Sequence, residues 1–264
     1  MNISNRARPK TSNNFDLFCS AIPFREIREK MLGKYAVGKD EVDYSLDILI
    51  AFFLEKSQRP EKLLVLPQIA DWAWHEFILM SEKYESFTCE MLGAKLPHMR
   101  ITPNCNAYEE TKRVFEYKYG FDTSFNVWKE SGWKNHSYRY LEKWQNQISR
   151  IDRNTQTHAY NFGTSDSSKS EITAIDFEWL VVRISLRFTV TEITARTAIS
   201  LYKQFLHQIQ KEKSGAIDTA PSLVFWAWQE HILWTEKYKN DCTTIFGYFL
   251  HRPIVSESML FTRY

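Results

Sequence analysis

Residues 67–96 read PQIADWAWHEFILMSEKYESFTCEMLGAKL, and residues 221–250 read PSLVFWAWQEHILWTEKYKNDCTTIFGYFL. At a constant offset of 154, 12 of these 30 positions are identical. They include Trp72/Trp226, Ala73/Ala227, Trp74/Trp228, Glu76/Glu230, Ile78/Ile232 and Leu79/Leu233. Glu82-Lys83-Tyr84 returns as Glu236-Lys237-Tyr238, and Gly93 as Gly247. Chance does not produce such a run, and a repeat has to be recognised before any element is assigned. Upstream, Ala21-Ile22-Pro23-Phe24 echoes Ala174-Ile175-Asp176-Phe177 at an offset of 153. The chain therefore reads as two tandem units, 21–98 and 172–264, and a duplication of this kind predicts a pseudo-twofold relation between them.

Working outward, each unit reads as three or four helices. Pro23 and Asp176 sit where a helix start favours a proline or an acidic cap. A second helix is expected over 44–56, with its counterpart over 198–213. Pro67 and Pro221 open the helix that bears the Trp-Ala-Trp segment, and Gly93 and Gly247 suit C-terminal caps. Ser81 and Thr235 leave two alternatives open, a break or one long helix. Between the units, 99–153 forms a connecting segment with helical stretches at 108–119, ending at Gly120, and at 137–151. Residues 154–171, which contain NFGTSDSSKSE, read as a flexible linker, and 1–20 as a basic, flexible N-terminal segment. The fold class expected is mainly α.

Composition agrees. Eight Gly and eight Pro in 264 residues are too few turn formers for an all-β protein. Aromatics are abundant, with 18 Phe, 13 Tyr and 9 Trp, and much of that surface must be buried or used in contacts. The longest apolar run, 48–54, is too short to span a bilayer, so no membrane role is expected. Four cysteines without CxxC spacing fit a reduced, cytoplasmic setting. A net charge of +2 argues against a dedicated polyanion binder.

The pattern Asp71-x-x-Trp74-His75, then Ile78-Leu79, Tyr84, Gly93 and His98, resembles the glycine-rich domain protein-like family. Tyr108, Thr111, Tyr119, Gly120 and Trp128 match a following part of that pattern. The resemblance spans about 60 residues of the first unit and about 33 of the second. Thr88-Cys89 and Pro97-His98 depart from it, and in the second unit Phe225 and Gln229 replace the aspartate and the first histidine. The resemblance implies no defined activity.

Asp71 and His75 lie four apart on a helix and share a face. A carboxylate beside an imidazole raises its basicity and fixes its tautomer, which serves a general base or a metal ligand. His98 follows the helix pair and can fold back toward them, and Cys89 offers a thiolate. Such a set suits a divalent metal, Zn or Fe, with positions open for chemistry. There is no HExxH, since His75-Glu76 lacks the second histidine. The plain structural alternative is a buried Asp–His pair that orients two helices. In the second unit the candidate equivalents are His231, Cys242 and His251.

Three functions follow as expectations. The first is an interaction protein whose two units build an aromatic groove for a protein partner, with Trp72, Trp133, Tyr138, Tyr140 and Trp144 on its surface. The second is an enzyme for a small-molecule substrate, centred on His75, Asp71 and His98. The third is an RNA-associated protein using 99–153, where ten Lys/Arg and seven Asp/Glu are interleaved with eleven aromatics. No RNP, KH or zinc-finger signature accompanies that segment.

Overall fold

Long stretches with helical apolar spacing and few breakers become helices. A computed structural model describes residues 13–98, 105–129, 142–157, 171–212 and 221–252. Among the described residues the protein is mainly α, with no β-strand. One compact unit holds α1 (Asn13–Ala21), α2 (Phe24–Lys34), α3 (Lys39–Gln58), α4 (Gln68–Ile78), α5 (Ser81–Leu92), α6 (Cys105–Tyr119) and a 3-10 turn at Asn126–Trp128. The other holds α7 (Glu142–Thr157), α8 (Glu171–Ala174), α9 (Trp179–Phe188), α10 (Glu192–Glu212), α11 (Ser222–Ile232) and α12 (Thr235–Phe246). None of these helices is long and apolar enough to cross a membrane.

In the first unit α3 is the central helix and packs on α1, α2, α4, α5 and α6. Its apolar run supplies Phe53, whose ring lies 6.1 Å from Phe77 and 4.9 Å from Phe87, centroid to centroid. These edge-on contacts are the geometry aromatic rings prefer in a core. In the second unit α10 takes the central place and packs on α9 and α11.

The sequence repeat has counterparts in the contacts within each unit. Trp74 Nε1 donates to the Tyr84 hydroxyl at 3.2 Å, and that hydroxyl donates to the Leu96 carbonyl at 2.8 Å. Trp228 Nε1 donates to Tyr238 at 2.8 Å, and Tyr238 donates to the Leu250 carbonyl at 2.6 Å. Tyr35 stacks on Trp72 at 4.7 Å, as Phe188 stacks on Trp226 at 4.3 Å. A buried cation meets the repeated glutamate in each unit: Lys34 Nζ lies 2.6 Å from Glu76, and Arg187 Nη1 lies 3.1 Å from Glu230.

The helix breaks at Ser81 and Thr235. Met80 (ψ 58°) and Trp234 (ψ 71°) leave helical backbone geometry, and α5 and α12 restart immediately after them. Gly93 and Gly247 end these helices at φ 74°, a left-handed conformation that a Cβ disfavours. The two long helices exceed their expected bounds of 44–56 and 198–213, because α3 begins at Lys39 and α10 at Glu192. At the start of α3, the Glu41 carboxylate accepts from the Gly38 N–H at 2.9 Å and supports the earlier first turn.

The connecting segment divides. α6 and the 3-10 turn pack on α3, whereas α7 packs on α10. α7 also runs through Thr157, into the stretch read as linker, and Asp152 accepts hydrogen bonds from the Thr191 amide and hydroxyl at 3.2 and 3.0 Å. The rest of that stretch, 158–170, lies outside the described residues. Within the N-terminal segment read as flexible, 13–20 is helical, because Phe18 is buried edge-on against Phe87 at 5.8 Å.

Candidate metal centre

Pro67 opens α4 in extended conformation (ψ 151°), and α4 then turns Ala70, Ala73, Trp74 and Phe77 into the core. Asp71 and His75 stand together one helical turn apart. The His75 side chain is 5% exposed and that of Asp71 26%, so the imidazole is sealed while the carboxylate reaches the surface. His75 Nε2 and Asp71 Oδ2 are 3.3 Å apart. That is long for an N–H···O hydrogen bond, whose usual range ends at about 3.2 Å. It matches two ligands of one tetrahedral ion, which stand roughly 3.3–3.4 Å apart when each bond is about 2.0–2.1 Å.

Asp71 and His75 form the group within this unit, whereas His98 belongs to the other compact unit. The path to His98 is fixed two residues earlier, where the Leu96 carbonyl accepts from Tyr84. His98 is buried, and its backbone N–H donates to Thr235 Oγ1 at 2.8 Å. Its Nδ1 lies 2.9 Å from the Leu233 carbonyl oxygen. A carbonyl only accepts, so Nδ1 carries a proton in this contact.

Cys89 is exposed on α5 and is not part of this group. Glu76, next to His75, is not placed as a base. Its Oε1 accepts from Lys34 at 2.6 Å and from the Tyr35 hydroxyl at 2.8 Å.

In the second unit, His231, Cys242 and His251 form no such group. His231 Nε2 donates to Asp241 at 2.9 Å, and the Tyr202 hydroxyl meets Nδ1 at 3.0 Å. Burial pushes the His231 imidazole below its ordinary pKa, against the opposing pull of Asp241. Burial pushes Asp241 up, but His231 and Lys237 outweigh it and hold the carboxyl below the usual range. Cys242 is buried, and His251 is exposed with its ring 4.9 Å from Phe249. Gln229, at the position of His75, can turn its amide oxygen to Arg187, accepting from Nη2 at 2.6 Å. The repeated helix pair thus carries a His–Asp contact in each unit, at 2.9 Å between His231 and Asp241 and at 3.3 Å between His75 and Asp71.

Of the aromatic surface candidates, Trp72 is half-buried against Tyr35. Trp133, Tyr138 and Tyr140 lie outside the described residues, as does the side chain of Trp144 on α7. Within the same segment, Tyr108, Phe115, Tyr119, Phe121 and Trp128 are core residues. The Trp128 ring is packed edge-on against Phe115 at 5.7 Å. These rings are spent on packing rather than on stacking bases.

Sequence reasoning missed Leu233 and Thr235 as partners of His98, and Tyr202 and Asp241 as partners of His231. One signal was available for Asp241: it replaces Phe87 at the offset of 154, where an apolar residue is otherwise expected.

Residues 23–119 match the model of a family described as UCP032817-like. That stretch contains α2 to α6, with Asp71 and His75 on α4. No curated protein and no solved structure matches the chain.

Proposed function

We propose that the protein binds a divalent first-row metal at Asp71 and His75, and uses it for Lewis-acid or hydrolytic chemistry in a reducing, cytoplasmic setting. The observation that carries this reading is the 3.3 Å spacing of His75 Nε2 and Asp71 Oδ2. Imidazole and carboxylate are common catalytic ligands of zinc and of non-haem iron, whose sites leave a position for water. A water held there would have its pKa brought near about 7, which provides hydroxide at neutral pH. The partly exposed Asp71 side marks where water and substrate would enter.

Elemental analysis of protein purified without a metal-binding tag tests the proposal. The wild-type chain should carry stoichiometric zinc or iron, and His75→Ala and Asp71→Ala should each lose it. Metal-free wild-type protein that also takes up neither ion on reconstitution would overturn the reading.

A second reading, an interaction protein, is supported by α9 and the first turn of α10. At the offset of 153, Glu29 is replaced by Val182 and Asp40 by Ile193, which are 62% and 60% exposed. Exposed apolar side chains replacing charged ones suit a protein partner. Sedimentation tests the simplest case, self-association: Val182→Glu should dissociate an oligomer, and a wild-type chain already monomeric would rule that case out.

A further inference from the structure

We infer that the outer face of α9 is the docking site of an amphipathic partner helix that sets an Asp or Glu carboxylate on Arg183; this rests on the interaction reading above and names its partner. Trp179, Val182, Arg183 and Leu186 follow the i, i+3, i+4, i+7 spacing of a single helix face. The opposite face, with Leu180, Ile184 and Phe188, is already buried in the core of the second unit. On the outer face Val182 and Leu186 are 62% and 54% exposed. A helix that is apolar on both faces is normally buried on both. The fold does not impose this pattern. At the offset of 153 the same face of α2 carries Glu26, Glu29, Lys30 and Gly33, and Glu26 is paired there with Lys83 at 2.7 Å.

Charge selects the occupant. Arg183 Nε donates to Glu230 Oε2 at 3.2 Å, and its guanidinium carbon lies 5.6 Å from the Trp179 ring centroid and 5.9 Å from that of Trp234. The two indoles meet edge-on at 4.7 Å, and Trp234 stays 39% exposed. The guanidinium is thus held in place, and among the described residues nothing takes its two terminal nitrogens. Glu230 also meets the buried Arg187, so two guanidinium groups share one carboxylate. A planar fork of N–H donors in apolar surroundings is matched by a second carboxylate, which accepts from both nitrogens. A helix fits the stripe, since seven residues of α9 span about 10 Å, or two turns. Apolar residues three or four apart on that helix would lie against Val182 and Leu186. An extended peptide has no sheet edge to join, because there is no β-strand among the described residues.

The full-length chain, panned against a displayed library of random peptides about four helical turns long, tests the inference. Enriched sequences should carry apolar residues three or four apart with an Asp or Glu beside them. In fluorescence anisotropy, such a peptide should bind Val182→Glu and Arg183→Gln about 10-fold or more weakly than wild type, and Glu29→Ala as tightly. Arg183→Gln leaves Arg187 on Glu230, so it keeps the buried ion pair. Replacing the peptide's carboxylate by its amide should cost as much in the wild type and nothing further in Arg183→Gln. Enriched peptides without an acidic residue, or an acidic peptide that Arg183→Gln binds equally well, would overturn the inference and leave the interaction reading standing. If no peptide is sensitive to Val182→Glu, both fail. A wild-type oligomer that Val182→Glu dissociates would give the face to a second copy, which overturns the inference as well.

Discussion

Tyr238→Phe removes one oxygen atom and disables two buried groups. In the wild-type chain that hydroxyl accepts from Trp228 Nε1 at 2.8 Å and donates to the Leu250 carbonyl at 2.6 Å. Trp228 and Tyr238 are both 0% exposed, so water cannot easily replace either bond. A buried polar group left unsatisfied costs about 1–3 kcal/mol, so the pair should cost about 2–5 kcal/mol. Tyr84→Phe makes the same change at the equivalent position. There the indole bond is longer, at 3.2 Å, and the Leu96 bond is only part-buried. Solvent can compensate in part, and the expected loss is about 1–2 kcal/mol. Because the chain has two compact units, one global unfolding energy would mix them. Native-state hydrogen exchange resolves the opening of α11 and α12 separately from that of α4 and α5. The reasoning is refuted if Tyr238→Phe lowers the opening energy of its unit by less than about 1 kcal/mol, or by less than Tyr84→Phe lowers that of its own.

Other substitutions probe the remaining buried polar groups. Lys34→Met strips Glu76 of a buried cation and should cost about 3–5 kcal/mol, whereas Lys34→Met with Glu76→Leu should recover most of it; urea titrations that rank the double variant below the single would contradict this. His231 has a lowered pKa in the folded chain, so the unfolded chain binds more protons as pH falls below about 6.5, and stability is lost from there downward. Asp241, also lowered, adds a further loss below about 3.9, as its carboxylate is protonated through its folded-state pKa. Replacing His231 and Asp241 by Phe, the residues found at 77 and 87, together with Tyr202→Phe, should remove the first of these losses in a pH series of melting temperatures. An unchanged slope between about pH 7 and 5 would assign it to other groups.

The helices were legible because their signals are local. Proline at the start, an i,i+4 aromatic pattern and glycine at the end are read within one segment, and the offset of 154 repeats them all. The Asp71–His75 pair was legible for the same reason, since four residues on a helix fix a common face. The break before Ser81 was not, because the backbone turn at Met80 carries no glycine or proline to announce it. The Leu233 carbonyl and the Thr235 hydroxyl were out of reach as well: hydrogen-bond partners 135 and 137 residues from His98 depend on the path of the chain, not on spacing. His231 was legible as a structural residue of an eroded copy, but its partners were not. Its partners, Tyr202 and Asp241, come from separate helices, and only their joint arrival turns a candidate ligand into a saturated core histidine.

Comparing the two helix pairs position by position separates what the fold requires from what the site requires. Trp74/Trp228, Tyr84/Tyr238, Glu76/Glu230 and Gly93/Gly247 are the same residue in both units, and each has a packing or capping duty visible in both. Position 34/187 changes from lysine to arginine but keeps its charge against that glutamate. None of these residues can be credited with a special activity, since the unit lacking the ligand group needs them equally. The differences fall elsewhere: Asp71/Phe225, His75/Gln229, Phe77/His231 and Phe87/Asp241. In the second unit the exchanged residues satisfy one another, with His231 bonded on both ring nitrogens and Asp241 paired to it. In the first, Phe77 and Phe87 close an apolar core 5.2 Å apart, and the polar residues are moved to the partly exposed Asp71 and the buried His75 on α4. Polar side chains that a fold does not need, an imidazole sealed beside a carboxylate that reaches solvent, are where function is to be sought.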